Sequence, residues 1–220
     1  MEITKIAENK TEINKNIKAV IFDMGNVLVS LEFSRGLLKF CCGDSIDNIP
    51  EVLKNRVFSD FAEGKINPEQ FHRLTCEQFG LNFSFELFCH HWCNMFNPMH
   101  GIDAIIKELD GKVELGLLSD TDPLHWAFVN KNWPFIKTIK KTTLSFEINC
   151  CKPAPQAFLK AAKKVGVAQS ECLFIDDLQR NIDGAKNVGM NALQFINVEN
   201  LYIEFVKNGL LEAHLRNLKL

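Results

Sequence analysis

The run Ala19-Val20-Ile21-Phe22-Asp23-Met24-Gly25 decides the architecture of this chain. Four consecutive apolar residues form the pattern of a β-strand covered on both faces, and the acid and glycine that follow end it in a turn. Two later segments repeat the form: Val113 to Leu118 runs into Ser119-Asp120-Thr121, and Cys172 to Ile175 runs into Asp176-Asp177. Between and after them lie helical patterns. Phe158, Ala161, Ala162 and Val165 recur at helical spacing, with Pro155 near the start and Gly166 placed to end the helix. Ile182, Ala185 and Val188 give a second helix stopped at Gly189, after which Ala192 to Ile196 reads as another strand. Strands alternating with helices predict an α/β fold built on a parallel sheet flanked by helices.

Residues 33–97 break the alternation. They are helix-like and rich in phenylalanine, and Asn67-Pro68 is a cap and first-turn signal ahead of Phe71, Leu74 and Phe79. This reads as an inserted α-helical cap, with a core made of residues 18–32 and 98–220 behind a polar N-terminal extension, 1–17. In open parallel sheets ligands bind beyond the carboxyl ends of the strands, so an insertion after the first strand would roof a pocket there. The aromatics Phe85, Phe88, Trp92 and Phe96 are read as packing between helices. Residues Val198 to Leu220 are assigned as a surface-packed helix.

The 220 residues carry a net charge of -2 and no block of like charge, which argues against a nucleic-acid groove or an anionic-membrane surface and favours small solutes as partners. Eight cysteines are spread along the chain, including the adjacent pairs Cys41-Cys42 and Cys150-Cys151, and read as reduced thiols. Cys89, His90, His91 and Cys93 lack zinc-site spacing and read as a helix face. No stretch approaches the roughly 18 apolar residues of a spanning helix, and the polar N-terminus lacks a leader pattern. The expectation is a cytoplasmic protein, a monomer or small homo-oligomer.

Parallel strands bring their carboxyl ends to one edge, so Asp23, Ser119, Asp120, Asp176 and Asp177 are placed to converge although far apart in sequence. Gathered carboxylates repel one another unless a cation neutralises them, and such an oxygen-rich site suits Mg²⁺. Magnesium held by few carboxylates completes its shell with phosphate oxygens, which points to phosphoryl chemistry on a small phosphorylated substrate. Asp23, at the tip of the first strand, is then the candidate nucleophile. Lys152 is the candidate cation at the transferring group, and Ser119 a hydroxyl donor to it.

Phe22-Asp23-Met24-Gly25-Asn26-Val27-Leu28, Leu118-Ser119-Asp120-Thr121, Lys152-Pro153 and Ile175-Asp176-Asp177 with Asn181 together resemble the four motifs of haloacid dehalogenase-like hydrolases. The resemblance covers residues 18 to 196 and is nearest to subfamily IA, in the branch that contains the bacterial α-glucose-1-phosphatases. It implies a Rossmann-like core with Asp23 as nucleophile and Mg²⁺ held by the Asp23 carboxylate, the Gly25 carbonyl and Asp176, with Asp177 in support. It also implies that Ser119, Asp120 and Lys152 contact the transferring group and that the cap chooses the leaving group. Glu63-Gly64 also resembles that branch, without an assigned role.

Two positions depart from the pattern. Most phosphatases of this superfamily carry a second Asp two residues after the nucleophile as general acid, and here Gly25 stands there. The glucose-1-phosphatase-like branch shares that glycine, and an anomeric sugar phosphate, with its more acidic leaving group, needs less protonation. Asp120 occupies a position where Asn is more usual; a carboxylate there is repelled by a phosphate unless protonated or turned away, which leaves three readings: a substitute acid, a sign of lost activity, or an outward-pointing side chain. Two other classes compete with the phosphatase: a non-catalytic member binding metal or a partner, and a haloacid dehalogenase, which works without metal.

Overall fold

The computed structural model describes residues 16–41 and 54–213. The polar extension lies almost entirely outside the described residues, as does Leu215 of the C-terminal stretch. β1 (Ala19–Phe22) is buried throughout and pairs in parallel with β4 (Glu114–Ser119) on one side and β6 (Cys172–Asp176) on the other. β5 (Lys141–Leu144) adds outside β4 and β7 (Asn191–Gln194) outside β6, giving a five-stranded parallel sheet in the order β5-β4-β1-β6-β7.

The apolar run of β1 is explained by its neighbours. Val20 and Phe22 point into one core with Leu117, Ile175, Ile105 and Phe205, while Ala19 and Ile21 point into another with Phe158, Ala161 and Phe174. The first core is closed by α5 (Ile102–Leu109) and α10 (Val198–Lys207), the second by α8 (Pro155–Val165) and α9 (Gln179–Asn187). Full burial of each large apolar side chain contributes roughly 1.5–3 kcal/mol.

On the second face α8 lies so close to β4 that a Cβ at Gly116 would come within 2.6 Å of Val165 Cγ1 and 3.1 Å of Ile21 Cγ1. Both neighbours are β-branched and cannot swing aside. Gly116→Ala is therefore expected to cost about 1–3 kcal/mol through overpacking. In urea titration this would appear as a lower midpoint with an unchanged slope.

The helical insertion is bracketed by an antiparallel ribbon, β2 (Val29–Leu31) paired with β3 (Phe96–Pro98). Between them run α1 (Leu38–Cys41), α2 (Arg56–Ala62), α3 (Pro68–Phe79) and α4 (Phe85–Cys93). α3 begins as its sequence predicts: the Asn67 side chain accepts from Gln70 N–H at 2.8 Å, the Gln70 side chain accepts from Asn67 N–H at 2.9 Å, and Pro68 opens the helix. Phe58, Phe61, Phe71, Phe88 and Trp92 form a third core, with Phe61 stacked on Phe71 at 4.1 Å. The other two aromatics read as packing between helices lie outside this core: Phe85 is 38% exposed with its ring edge on His72, and Phe96 packs on His125 and Phe128.

The last strand ends at Gln194, two residues short of its apolar run, because Ile196 turns out to solvent and is 70% exposed. α10 accounts for Val198–Lys207 of the predicted C-terminal helix. Cys89, His90, His91 and Cys93 lie on α4, with the Cys93 thiol directed at Leu124 O. The described cysteines are free thiols. No helix among the described residues is long and apolar enough to cross a membrane.

Candidate active site

The parallel register delivers the predicted acids to one edge. The sheet ladder continues one residue past β1, where Asp23 N–H donates to Ile175 O at 2.8 Å, so Asp23 stands directly beside the end of β6. Ser119 ends β4 and Asp176 ends β6, both buried. Lys152 arrives from the loop between α7 (Ser145–Ile148) and α8. Its ammonium lies 2.7 Å from Asp23 Oδ1 and 2.7 Å from Asp176 Oδ2, while its backbone N–H donates to Asp120 Oδ1 at 2.9 Å.

Asp176 is fully enclosed and held from three sides. Besides Lys152, Asn181 Nδ2 lies 3.0 Å from each of its oxygens, and Leu178 N–H donates to Oδ1 at 2.9 Å. Asp177 Oδ2 accepts from Asn26 Nδ2 at 3.1 Å. Asn26 holds the turn after β1: its φ of 54° is left-handed, and its Oδ1 accepts from Leu31 N–H at 3.2 Å. An asparagine tolerates that conformation better than most residues. Gly25 lines the cavity above these groups, and a Cβ there would meet Leu31 Cδ1 at 3.1 Å.

Charge in the site is unbalanced. Burial raises Asp23 from its ordinary 3.8 to about 7; Lys152 opposes the rise, and Asp176 and Asp120 add to it. Asp120, open to solvent on its cavity side, is raised as well, first by the partial loss of water around its carboxyl, with the Lys152 charge and N–H opposing. For Lys152, burial favours the neutral amine, but Asp23, Asp120 and Asp176 outweigh it and hold the ammonium form. One buried lysine thus faces more carboxylate than it neutralises.

Asp23, Asp176 and Asp177 each offer an oxygen, all within 4.8 Å of one another. Three hard oxygen donors without a sulfur or imidazole in the group fit a hard divalent cation such as Mg²⁺. The residues present therefore suit the ion that the sequence implies.

Above these groups opens a cavity of about 470 Å³. Asp23, Ser119, Asp120 and Lys152 form its floor, and Phe33, Phe58, Trp92 and Met95 of the helical insertion and its ribbon face them. Arg180, at the start of α9, reaches the same cavity.

Residues 17–189 match the haloacid dehalogenase-like hydrolase family. The chain belongs to this family. A D-ribitol-5-phosphate phosphatase of Bacteroides thetaiotaomicron is 28% identical over 189 residues, covering 81% of this chain and 91% of that protein. A HAD family enzyme from the same species, solved with magnesium and inorganic phosphate, superposes with a TM-score of 0.74 at 28% identity, over 86% of this chain and 99% of that one. An L-2-haloacid dehalogenase of Xanthobacter autotrophicus shares the fold at a TM-score of 0.58 and 17% identity, over 89% of this chain and 85% of that one.

In this haloacid dehalogenase-like hydrolase three of the acids singled out at strand ends, Asp23, Asp120 and Asp177, line the cavity, while Asp176 is fully buried and reaches the site through Lys152, 2.7 Å from its Oδ2. Asn26, Asp122, His125 and Arg180 line it too and were not singled out by sequence. Asn26 carries a signal in retrospect, as the polar residue of a turn that needs a left-handed conformation. Asp122-Pro123 reads in sequence only as a helix start, which it also is: Asp122 caps α6 (Pro123–Asn132).

Proposed function

We propose that this hydrolase is a Mg²⁺-dependent phosphatase that moves the phosphoryl group of a small phosphorylated metabolite first to Asp23 and then to water. The observation that carries this reading is the Lys152 ammonium set 2.7 Å from both Asp23 and Asp176, with Asp177 close enough to share a cation with them. When bound, the metal supplies positive charge to the phosphoryl oxygens and to the Asp23 carboxylate.

The rest falls to the chain's own residues. One Asp23 oxygen bonds to phosphorus as the bond to the leaving oxygen breaks; water then attacks phosphorus, the bond to Asp23 breaks, and phosphate leaves. Lys152 and the Ser119 hydroxyl hold the phosphoryl oxygens throughout. Asp120 is the candidate for protonating the leaving oxygen in place of the missing acid at Gly25, since it opens into the cavity and its carboxyl is raised above its ordinary range. On this reading Asp120→Asn lowers kcat most for substrates with poor leaving groups; equal turnover by the variant removes the acid role.

Residues 33–97 act as the cap, whose side chains face the leaving group. A sugar phosphate is the substrate class we favour; the relative named for D-ribitol-5-phosphate, a sugar-alcohol phosphate, supports a polyhydroxylated leaving group of that size. Phosphate release from α-glucose-1-phosphate, glucose-6-phosphate and ribitol-5-phosphate, with Mg²⁺ and with EDTA, tests the reading. Release that EDTA abolishes is expected, fastest from the anomeric ester if Gly25 marks a reduced need for acid. Silence across the panel together with measurable Mg²⁺ binding would favour a non-catalytic binding protein.

A further inference from the structure

The loop that follows β4 does two jobs. Ser119, the last residue of the strand, and Asp120 form part of the cavity floor, and the next residues hold the cap. Asp122 is buried and fully engaged. Its Oδ1 accepts from Leu124 and His125 N–H at 2.9 and 3.0 Å, and its Oδ2 accepts from the Trp92 indole Nε1 at 3.1 Å and lies 2.8 Å from His125 Nδ1. His125 Nε2 is 3.0 Å from Trp92 O, and a carbonyl only accepts, so that nitrogen carries hydrogen. The imidazole also lies flat on the Trp92 ring, 4.4 Å between centroids at 11°. Trp92, on cap helix α4, is thus gripped by its indole N–H, its carbonyl and its face.

A second attachment lies on the far side of the same loop. The buried Ser145 hydroxyl accepts from Thr121 N–H at 2.9 Å and lies 2.6 Å from Ala62 O and 2.9 Å from Thr121 O. One side-chain oxygen therefore ties the loop backbone to the end of cap helix α2. Around it the contact is close: Asn149 Nδ2 donates to Glu63 O at 2.8 Å, and a Cβ at Gly64, whose φ is 69°, would run into Phe146 O. This gives Glu63-Gly64 a part in the seam between cap and sheet.

We propose that Trp92, Asp122, His125 and Ser145 are positioning residues that make the placement of the cap and the placement of Ser119 and Asp120 a single variable. The proposal rests on the phosphatase reading above. A leaving group that fills the cavity presses on Phe58 and Trp92, and the two attachments carry that pressure to the groups at the phosphoryl oxygens. Leaving-group fit then sets the rate of transfer as well as affinity, because small displacements of aligned groups change rates steeply.

The test compares 4-nitrophenyl phosphate, whose ring reaches the cap, with acetyl phosphate, whose leaving group is too small to do so. The proteins are wild type, Trp92→Phe, which keeps an aromatic ring but removes the indole donor, and Ser145→Ala. In each variant kcat for the nitrophenyl ester is expected to fall about tenfold with KM within about twofold, while in Ser145→Ala, whose side chain lies outside the cavity lining, kcat for acetyl phosphate stays within about twofold. Equal losses on both substrates would reduce these residues to structural support and overturn the proposal. So would a rise in KM alone, or no change. A wild type that releases no phosphate from either ester refutes the phosphatase reading, and this inference falls with it; an active wild type without the split refutes the inference alone.

Discussion

Asp23→Asn is expected to lose turnover by at least about a thousandfold and, at the same time, to unfold at higher temperature than the wild type in EDTA above pH 7. The first effect follows from removing the atom that bonds to phosphorus. The second follows from the cost of keeping that atom charged in a buried site. Folding raises the Asp23 carboxyl from 3.8 to about 7, chiefly by burial. In an acid so raised, the penalty is absent below the unfolded value, grows as pH climbs between the two values, and is complete above the folded one. Metal-free wild type should therefore lose stability between about pH 4 and pH 7 by on the order of a few kcal/mol, a loss the amide escapes. Mg²⁺ binds the native carboxylates, so it should stabilise the wild type more than the variant. Thermal melts of both proteins across that pH window, with and without Mg²⁺, check the sign. A variant that is inactive and also less stable at pH 8 would mean that Asp23 serves the fold as well as the chemistry.

Lys152→Met should act in the opposite direction on the same charge. The side chain keeps its length, but Asp23 and Asp176 lose the ammonium that lies 2.7 Å from each. Breaking a buried pair by removing one partner typically costs about 3–5 kcal/mol, because the surviving charge stays buried without compensation. The urea midpoint in EDTA is expected to drop accordingly, and Mg²⁺ should restore much of the loss, since the same oxygens then bind the cation with no competing lysine. Turnover should fall by about a hundredfold or more through loss of charge at the phosphoryl oxygens. An unchanged midpoint in EDTA would show that Lys152 is not what balances Asp176.

The sheet and the floor of the site were readable in the sequence for one reason: both depend on strands buried on two faces. Ala19 to Phe22 is apolar at every position because each face meets its own core, and that leaves an unbroken run whose end is marked by Asp23. Parallel pairing then dictates that Asp23, Ser119 and Asp176 share an edge. β5 escaped notice because it is an edge strand, Lys141-Thr142-Thr143-Leu144, half of it only partly buried and with too little apolar pattern to distinguish it from a loop. The grip of Asp122 and His125 on Trp92 escaped for a different reason. It joins residues 30 and 33 positions apart across the packing of inserted helices on the sheet, and no local spacing encodes that. Asn26 lies between these cases: its turn is local, but its bond to Asp177 spans 151 positions.

The claim that Asp23 itself carries the phosphoryl group is tested most directly by borohydride quenching during turnover, followed by mass analysis of the peptide containing position 23. An acyl phosphate is reduced to the alcohol, so homoserine at position 23, formed only when Mg²⁺ and a substrate that is being hydrolysed are both present, is the predicted result. Aspartate unchanged at position 23 while phosphate accumulates, under quench conditions that reduce a control acyl phosphate, would mean that water attacks the substrate directly and would contradict the account.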